Sequence, residues 1–192
     1  MIVVIDQRDI QRKGGLCAKY PSSYVVCELL KRFGIKRVLD VTFGRGRFYK
    51  LCRRDVELLV ASDPAKWPWL TVPDAFYQAT VWQLYNAIKA GSLSIDSIDC
   101  VVVDPPRWSG AEYKRRGEYN FLIGSPRLII EYATKVARIV GSTYMLLHFN
   151  KVVSVDGWVP AYIVEFKWFA RYLNSENKNI SYYIIYNSNT HS

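Results

Sequence analysis

The chain is poor in the residues that carry metal and redox chemistry. It has two histidines and two methionines, and its four cysteines, Cys17, Cys27, Cys52 and Cys100, fit no CxxC or Cys/His spacing. Neither a structural metal nor a disulfide framework is expected from such a pattern. No apolar run approaches the roughly 20 residues needed to span a bilayer, so no membrane partner is expected. The apolar stretch Ile2 to Ile5 ends at Asp6, too short for a signal peptide, which points to a cytoplasmic protein. No internal repeat, low-complexity tract or linker-like segment divides the 192 residues. A single domain with a full-sized core follows.

Acidic residues are also scarce relative to basic ones, 17 against 26, for a net charge of +9. Such a surplus favours polyanions, nucleic acid above all. Along the chain, short apolar runs alternate with helical patterns. "RVLDV" (37–41), "LLVASD" (58–63), "DCVVVD" (99–104) and "STYMLLHF" (142–149) read as strands. "GRFYKLCRR", "TVWQLYNAIKAG" and "SPRLIIEYATKVARIVG" carry apolar residues at spacings of three and four and read as helices. In the last, Leu128, Ile129, Tyr132, Val136 and Ile139 are expected to form one buried stripe, with Gly141 as the stop. "PSSYVVCELLKRFG" starts at Pro21 and stops at Gly34, a further helix.

This alternation implies βαβ units and a mainly parallel sheet with helices on both faces. The tail differs. "AYIVEFKWFARYL" (161–173) and "ISYYIIYN" (180–187) are β-branched and aromatic and flank the polar "NSENKN", which predicts an antiparallel hairpin. The chain thus divides into a helical lead-in (1–35), an α/β core (36–150) and a terminal hairpin (160–188).

The segment "VLDVTFGRGRFYKL" (38–51) ends a strand at Asp40, turns through Gly44 and Gly46, and opens a helix near Phe48. Glycines there let a ligand lie against the backbone and over a helix start. No Gly-Lys-Ser/Thr follows, so the turn is not a P-loop. Tyr49 stands where a dinucleotide fingerprint has its third glycine, which disfavours a nicotinamide cofactor. A second strand ends at Asp63, 23 residues beyond Asp40, in a place suited to ribose hydroxyls. A third runs Val101 to Val103 and stops at Asp104-Pro105-Pro106-Arg107-Trp108.

Taken in order, Asp40–Gly44–Gly46, Asp63 and Asp104-Pro105-Pro106 resemble the class I S-adenosylmethionine-dependent methyltransferases over about residues 19 to 150. Within them, the chain is similar to enzymes whose fourth motif is Asp/Asn-Pro-Pro-aromatic and which act on nucleic-acid bases. The resemblance implies a Rossmann-like, mainly parallel seven-stranded sheet with a reversed C-terminal hairpin. It implies S-adenosylmethionine as cofactor. Asp40, Thr42, Phe43, Gly44 and Gly46 would border its methionine part, and Asp63 its ribose, with Pro64 or Ala65 near the adenine. Thr80 stands where the family often has an acid for the adenine amine. Lys19 and Tyr20, in "AKYPSS", would cover the methionine end.

An exocyclic amine is a poor nucleophile because its lone pair is delocalised into the ring. A carboxylate and a carbonyl aimed at its two N–H bonds can turn that lone pair toward a methyl donor. Asp104 and the carbonyl of Pro105 are the candidates, with Pro106 stiffening the carbonyl's direction. Asp-Pro-Pro-Arg (the DPPR motif) departs from the usual aromatic fourth letter, and Trp108 follows one place later. The same four letters resemble the RNA uridine C5-methyltransferases, which need a cysteine nucleophile after the next strand. Phe149 stands in that place and no cysteine follows Cys100, so C5 chemistry is set aside. Arg107 then serves to clamp a phosphate or stack on a base, with Trp108 as a stacking platform. Tyr113, Lys114, Arg115 and Arg116 continue a basic, tyrosine-bearing loop (109–126) suited to single-stranded nucleic acid.

The reading that results is methyl transfer to an exocyclic amine of a base in RNA or DNA, RNA preferred. Two alternatives stand beside it: a methyltransferase for a small molecule or protein, and a non-catalytic nucleic-acid-binding partner subunit of the same fold. With no separate recognition domain, a protein partner or a homodimer is a further source of specificity. His148 and Asn150 are weaker candidates, His148 as a general base.

Overall fold

A computed structural model describes residues 1–106, 124–168 and 179–188. Its elements in chain order are β1 (Ile2–Asp6), α1 (Gln7–Arg12), α2 (Gly15–Lys19), α3 (Pro21–Arg32), β2 (Arg37–Asp40), β3 (Leu58–Ser62), β4 (Ala75–Tyr77), α4 (Val81–Lys89), β5 (Cys100–Val103), α5 (Pro126–Ile139), β6 (Tyr144–Phe149), β7 (Trp158–Trp168) and β8 (Asn179–Ser188). All eight strands form one sheet in the order β1-β7-β8-β6-β5-β2-β3-β4. Neighbours from β6 through β4 run parallel, whereas β8 pairs antiparallel with both β6 and β7.

The expected seven strands are present, with the reversed terminal hairpin among them. An eighth, β1, pairs in parallel with the outer edge of β7, Ile2 opposite Ile163. The lead-in is therefore not wholly helical. Its β-branched run is too short to announce itself alone and gains its partner from the open hydrogen-bonding edge of β7.

Helices cover both faces, and successive strand residues serve opposite cores. Val102, Leu146 and Tyr183 pack with Val25, Val26 and Leu29 of α3. Val101, Val103, Leu147 and Ile184 pack with Leu84 of α4 and Ile129 and Val136 of α5. Fully burying each such aliphatic side chain contributes on the order of 1.5–3 kcal/mol. In α5 the buried face is Ile129, Ala133, Thr134, Val136 and Ala137, and Leu128 and Ile139 are 38% and 41% exposed. The expected stripe is thus rotated: Ile129 and Val136 stay in it, and Ala133, Thr134 and Ala137 take the buried places expected of Leu128 and Ile139.

Two further expectations are corrected. The segment after the glycine turn forms 3-10 turns at Arg47–Tyr49 and Arg53–Asp55, not an α-helix. Tertiary bonds take its backbone groups: Ser23 Oγ donates to the Phe48 carbonyl and accepts from Leu51 N–H, at 2.9 and 3.0 Å. Cys27 of α3 and Cys52 form a disulfide with Cα atoms 5.6 Å apart, a pairing invisible in their spacing of 25 residues. Among the described residues, no helix is long and apolar enough to cross a membrane, and no group of His, Cys, Asp and Glu is placed to hold a metal ion.

Candidate active site

Strands β2, β3, β5 and β6 are parallel and in register, so their carboxyl ends lie along one edge. Asp40 is level with Ala61 of β3 and Val102 of β5, and Val103 is level with Leu147. The order reverses between β2 and β5, where open α/β sheets bind their ligands. Asp40, Asp63, Asp104 and His148 therefore gather at this edge.

Asp40 is 2% exposed. Its Oδ2 accepts from the Tyr49 hydroxyl at 2.8 Å, and its Oδ1 accepts from Thr42 N–H at 2.9 Å. Burial, opposed by those two bonds and reinforced by the charges of Asp104 and Asp63, pushes its carboxyl up to about 7. The Thr42 hydroxyl accepts from Asp104 N–H at 2.7 Å and lies 3.4 Å from Asp40 Oδ1. One threonine thus links the first and third motifs.

Asp63 is tied to the same turn. Its carboxylate accepts from Gly44 N–H, Ala65 N–H and the Trp67 indole, at 2.9, 2.9 and 3.2 Å. Burial also raises its titration point, against these three donors. Gly44 and Gly46 both adopt left-handed backbone, φ 54° and 70°. A Cβ at Gly44 would meet nothing within 4 Å, whereas one at Gly46 would lie 2.6 Å from the Phe43 ring and 2.8 Å from the Thr71 carbonyl. Gly44 is the open side of the turn and Gly46 the packed side.

Beyond β5, Pro105 is buried and Pro106 half-buried. The Asp104 Oδ1 lies 2.9 Å from His148 Nδ1, at the end of β6. Arg107, Trp108, Tyr113, Lys114, Arg115 and Arg116 lie outside the described residues.

The other expected cofactor residues are placed less centrally. Phe43 is buried, with its ring stacked on Tyr49 at 6.0 Å and its N–H donating to the Ser62 carbonyl. Thr80 lies beside the β3 end, since Ala79 N–H donates to the Asp63 carbonyl. Its hydroxyl forms the capping box of α4 with Gln83. Lys19 and Tyr20 occupy the α2–α3 junction, Lys19 Nζ 5.6 Å from the Tyr20 ring centre. Pro64 lends its carbonyl to the Gln78 amide at 3.4 Å.

Three partners escaped the sequence reading: Tyr49 on Asp40, Trp67 on Asp63, and Ser181, whose Oγ lies 3.1 Å from His148 Nε2. Tyr49 was visible only as a missing glycine. Trp67, four residues past Asp63, carried a faint signal as an indole donor near an acid. Ser181 carried none.

The set suits S-adenosylmethionine. Its sulfonium and ammonium are cations, and three acidic side chains, Asp40, Asp63 and Asp104, converge at this edge. The backbone at Gly44 is open on the side where a side chain would stand, so a ligand can approach it there.

No protein-family model and no curated protein sequence matches the chain. Solved structures share its architecture. Magnesium protoporphyrin IX methyltransferase from Synechocystis, with bound S-adenosylmethionine, aligns at 11% identity over 95% of this chain and 83% of its own, TM-score 0.52. The N-methyltransferase NodS from Bradyrhizobium japonicum aligns at 9% identity over 94% and 97%, TM-score 0.52. A SAM-dependent methyltransferase from Agrobacterium tumefaciens aligns at 12% identity over 88% and 63%, TM-score 0.50. The chain has the Rossmann-like fold of class I methyltransferases.

Proposed function

We propose that the protein is an S-adenosylmethionine-dependent methyltransferase acting on an exocyclic amine of a base in RNA or DNA, RNA preferred. The observation that carries the reading is the Thr42 bridge, which sets the Asp-Pro-Pro segment directly against the glycine turn. The net charge of +9 supports a nucleic-acid partner.

Asp40, Thr42 and Gly44 would hold the methionine part of the cofactor and Asp63 its ribose, while Lys19 and Tyr20 cover one end. When bound, the cofactor supplies a methyl group on a sulfonium sulfur. Asp104 accepts one amine hydrogen and the Pro105 carbonyl the other, so the nitrogen presents its lone pair rather than its N–H bonds. As the nitrogen bonds to the methyl carbon, the carbon–sulfur bond would break and leave its electron pair on sulfur as a neutral thioether, and the Asp104 carboxylate would take the proton that the nitrogen sheds. Arg107 and Trp108 would hold the base, and Tyr113, Lys114, Arg115 and Arg116 the strand that carries it.

A second reading, a nucleic-acid-binding partner subunit without turnover, is favoured by Asp63, whose carboxylate already accepts three protein hydrogen bonds. Calorimetric titration with S-adenosylmethionine separates the two. Absence of binding to folded protein rejects the enzyme. Given binding, transfer of tritiated methyl into total RNA, genomic DNA or a protein extract identifies the substrate class. Asp104→Ala should abolish transfer while leaving cofactor affinity largely intact; retained transfer would remove Asp104 from the chemistry.

A further inference from the structure

We infer that His148 is a positioning residue for Asp104: its Nδ1–H holds one carboxylate oxygen so that the other is presented to the substrate amine. The inference rests on the methyltransferase reading of the site.

His148 is 4% exposed. Its ring stacks on Tyr183, its register partner on β8, with centroids 4.1 Å apart and planes 11° from parallel. Phe48, from the glycine-turn segment, meets the same ring edge-on at 5.8 Å. Within this clamp both nitrogens are engaged. Nδ1 lies 2.9 Å from Asp104 Oδ1, and Nε2 lies 3.1 Å from Ser181 Oγ.

The chemistry of the partners assigns the proton. A carboxylate only accepts, so Nδ1 carries the hydrogen. A serine hydroxyl can donate, so a neutral ring is satisfied as Ser181 Oγ–H to Nε2 and Nδ1–H to Asp104. Ser181 is fully buried and reaches His148 only because β8 runs antiparallel beside β6. This arrangement turns His148 away from general-base duty, since one nitrogen faces the carboxylate and the other faces β8. Its contribution is to remove the rotational freedom of a half-exposed aspartate. Effective orientation of reacting groups is sensitive to displacements of about 1 Å. Asp104 is thereby held from two sides, its backbone N–H by Thr42 and its side chain by His148.

The chain's two histidines, His148 and His191, make the test spectroscopically simple. Nitrogen-15 imidazole spectra of the intact protein should show one ring protonated at Nδ1 and bare at Nε2, and Asp104→Ala should shift that resonance. A ring protonated only at Nε2 overturns the inference. Two variants then separate positioning from packing. His148→Asn keeps an N–H near the Nδ1 position; His148→Phe keeps the ring stack on Tyr183 without it. In the methyl-transfer assay His148→Phe should lose about 10- to 100-fold in kcat with an unchanged KM for S-adenosylmethionine, and His148→Asn should recover most of the loss. Wild-type kcat in His148→Phe, or equal loss in both folded variants, also overturns it. Failure of the wild-type protein to bind S-adenosylmethionine has a different meaning: it removes the methyltransferase reading while the tautomer is still read directly.

Discussion

The Asp104 N–H donates to the Thr42 hydroxyl at 2.7 Å, joining the tip of β5 to the glycine turn across 62 residues of chain. The same hydroxyl lies 3.4 Å from Asp40 Oδ1, so the ends of β2 and β5 share a single side chain. Replacing it with the isosteric valine keeps the volume and strands the Asp104 N–H. Thr42→Val should therefore cost about 1–3 kcal/mol in urea denaturation. Methyl transfer should fall further than cofactor affinity, because the carboxylate loses its alignment. Unchanged stability and transfer would show the bond to be dispensable.

Stability should respond to pH through Asp40. Its carboxyl is raised to about 7 by burial, against an unfolded value of about 4. Between those values the folded chain keeps a proton that the unfolded chain has lost. The contribution of Asp40 to stability is thus fully present below pH ~4, falls as pH rises toward ~7, and levels off above. Asp40→Asn cannot titrate, so the difference between wild type and variant should decline across that window. Asp63, raised in the same direction, remains in both proteins, so only its coupling to the Asp40 charge enters the comparison. Parallel pH profiles would refute the assignment.

The two glycines of the turn should fail in different ways. Gly46→Ala meets the Phe43 ring and the Thr71 carbonyl in addition to its left-handed strain. Gly44→Ala has only the strain, roughly 1–2 kcal/mol, and places its methyl in open space on the ligand side. Thermal denaturation should rank Gly46→Ala as clearly less stable. Calorimetry should find weakened S-adenosylmethionine binding in Gly44→Ala despite the milder folding defect. An identical pair of phenotypes would mean that the turn has no open side.

The Cys27–Cys52 link closes a loop of 25 residues between α3 and the turn that carries Phe48 and Tyr49. Replacing both cysteines with serine should lower stability by about 3.5 kcal/mol on loop-entropy grounds. Reductant should lower the Tm of the wild-type protein and leave that of the double variant unmoved. Equal sensitivity of both would locate the effect elsewhere.

Much of the fold was legible in the chain. The runs around Val38, Val60, Val102 and Leu146 read as strands because apolar β-branched residues report burial locally. Ser125 and Gly141 bracket α5, as local hydrogen-bonding rules require, whereas Thr80, read as an adenine contact, also caps α4. The helix expected after Gly46 was not formed, because Ser23 of α3 takes the backbone groups a helix would use. β1 went unread because its five residues acquire meaning only beside β7.

The site divides along the same line. Sequence by itself determined that carboxylates end three strands, that glycines turn the chain beside the first, and that prolines stiffen the last. Those are properties of short segments. Tertiary structure alone decided that Thr42 meets Asp104, that Trp67 and Gly44 fill the Asp63 carboxylate, and that His148 stands between Asp104 and Ser181. Such pairings depend on strand order and register. The packing of the whole sheet sets both, and no residue's neighbours in sequence encode them.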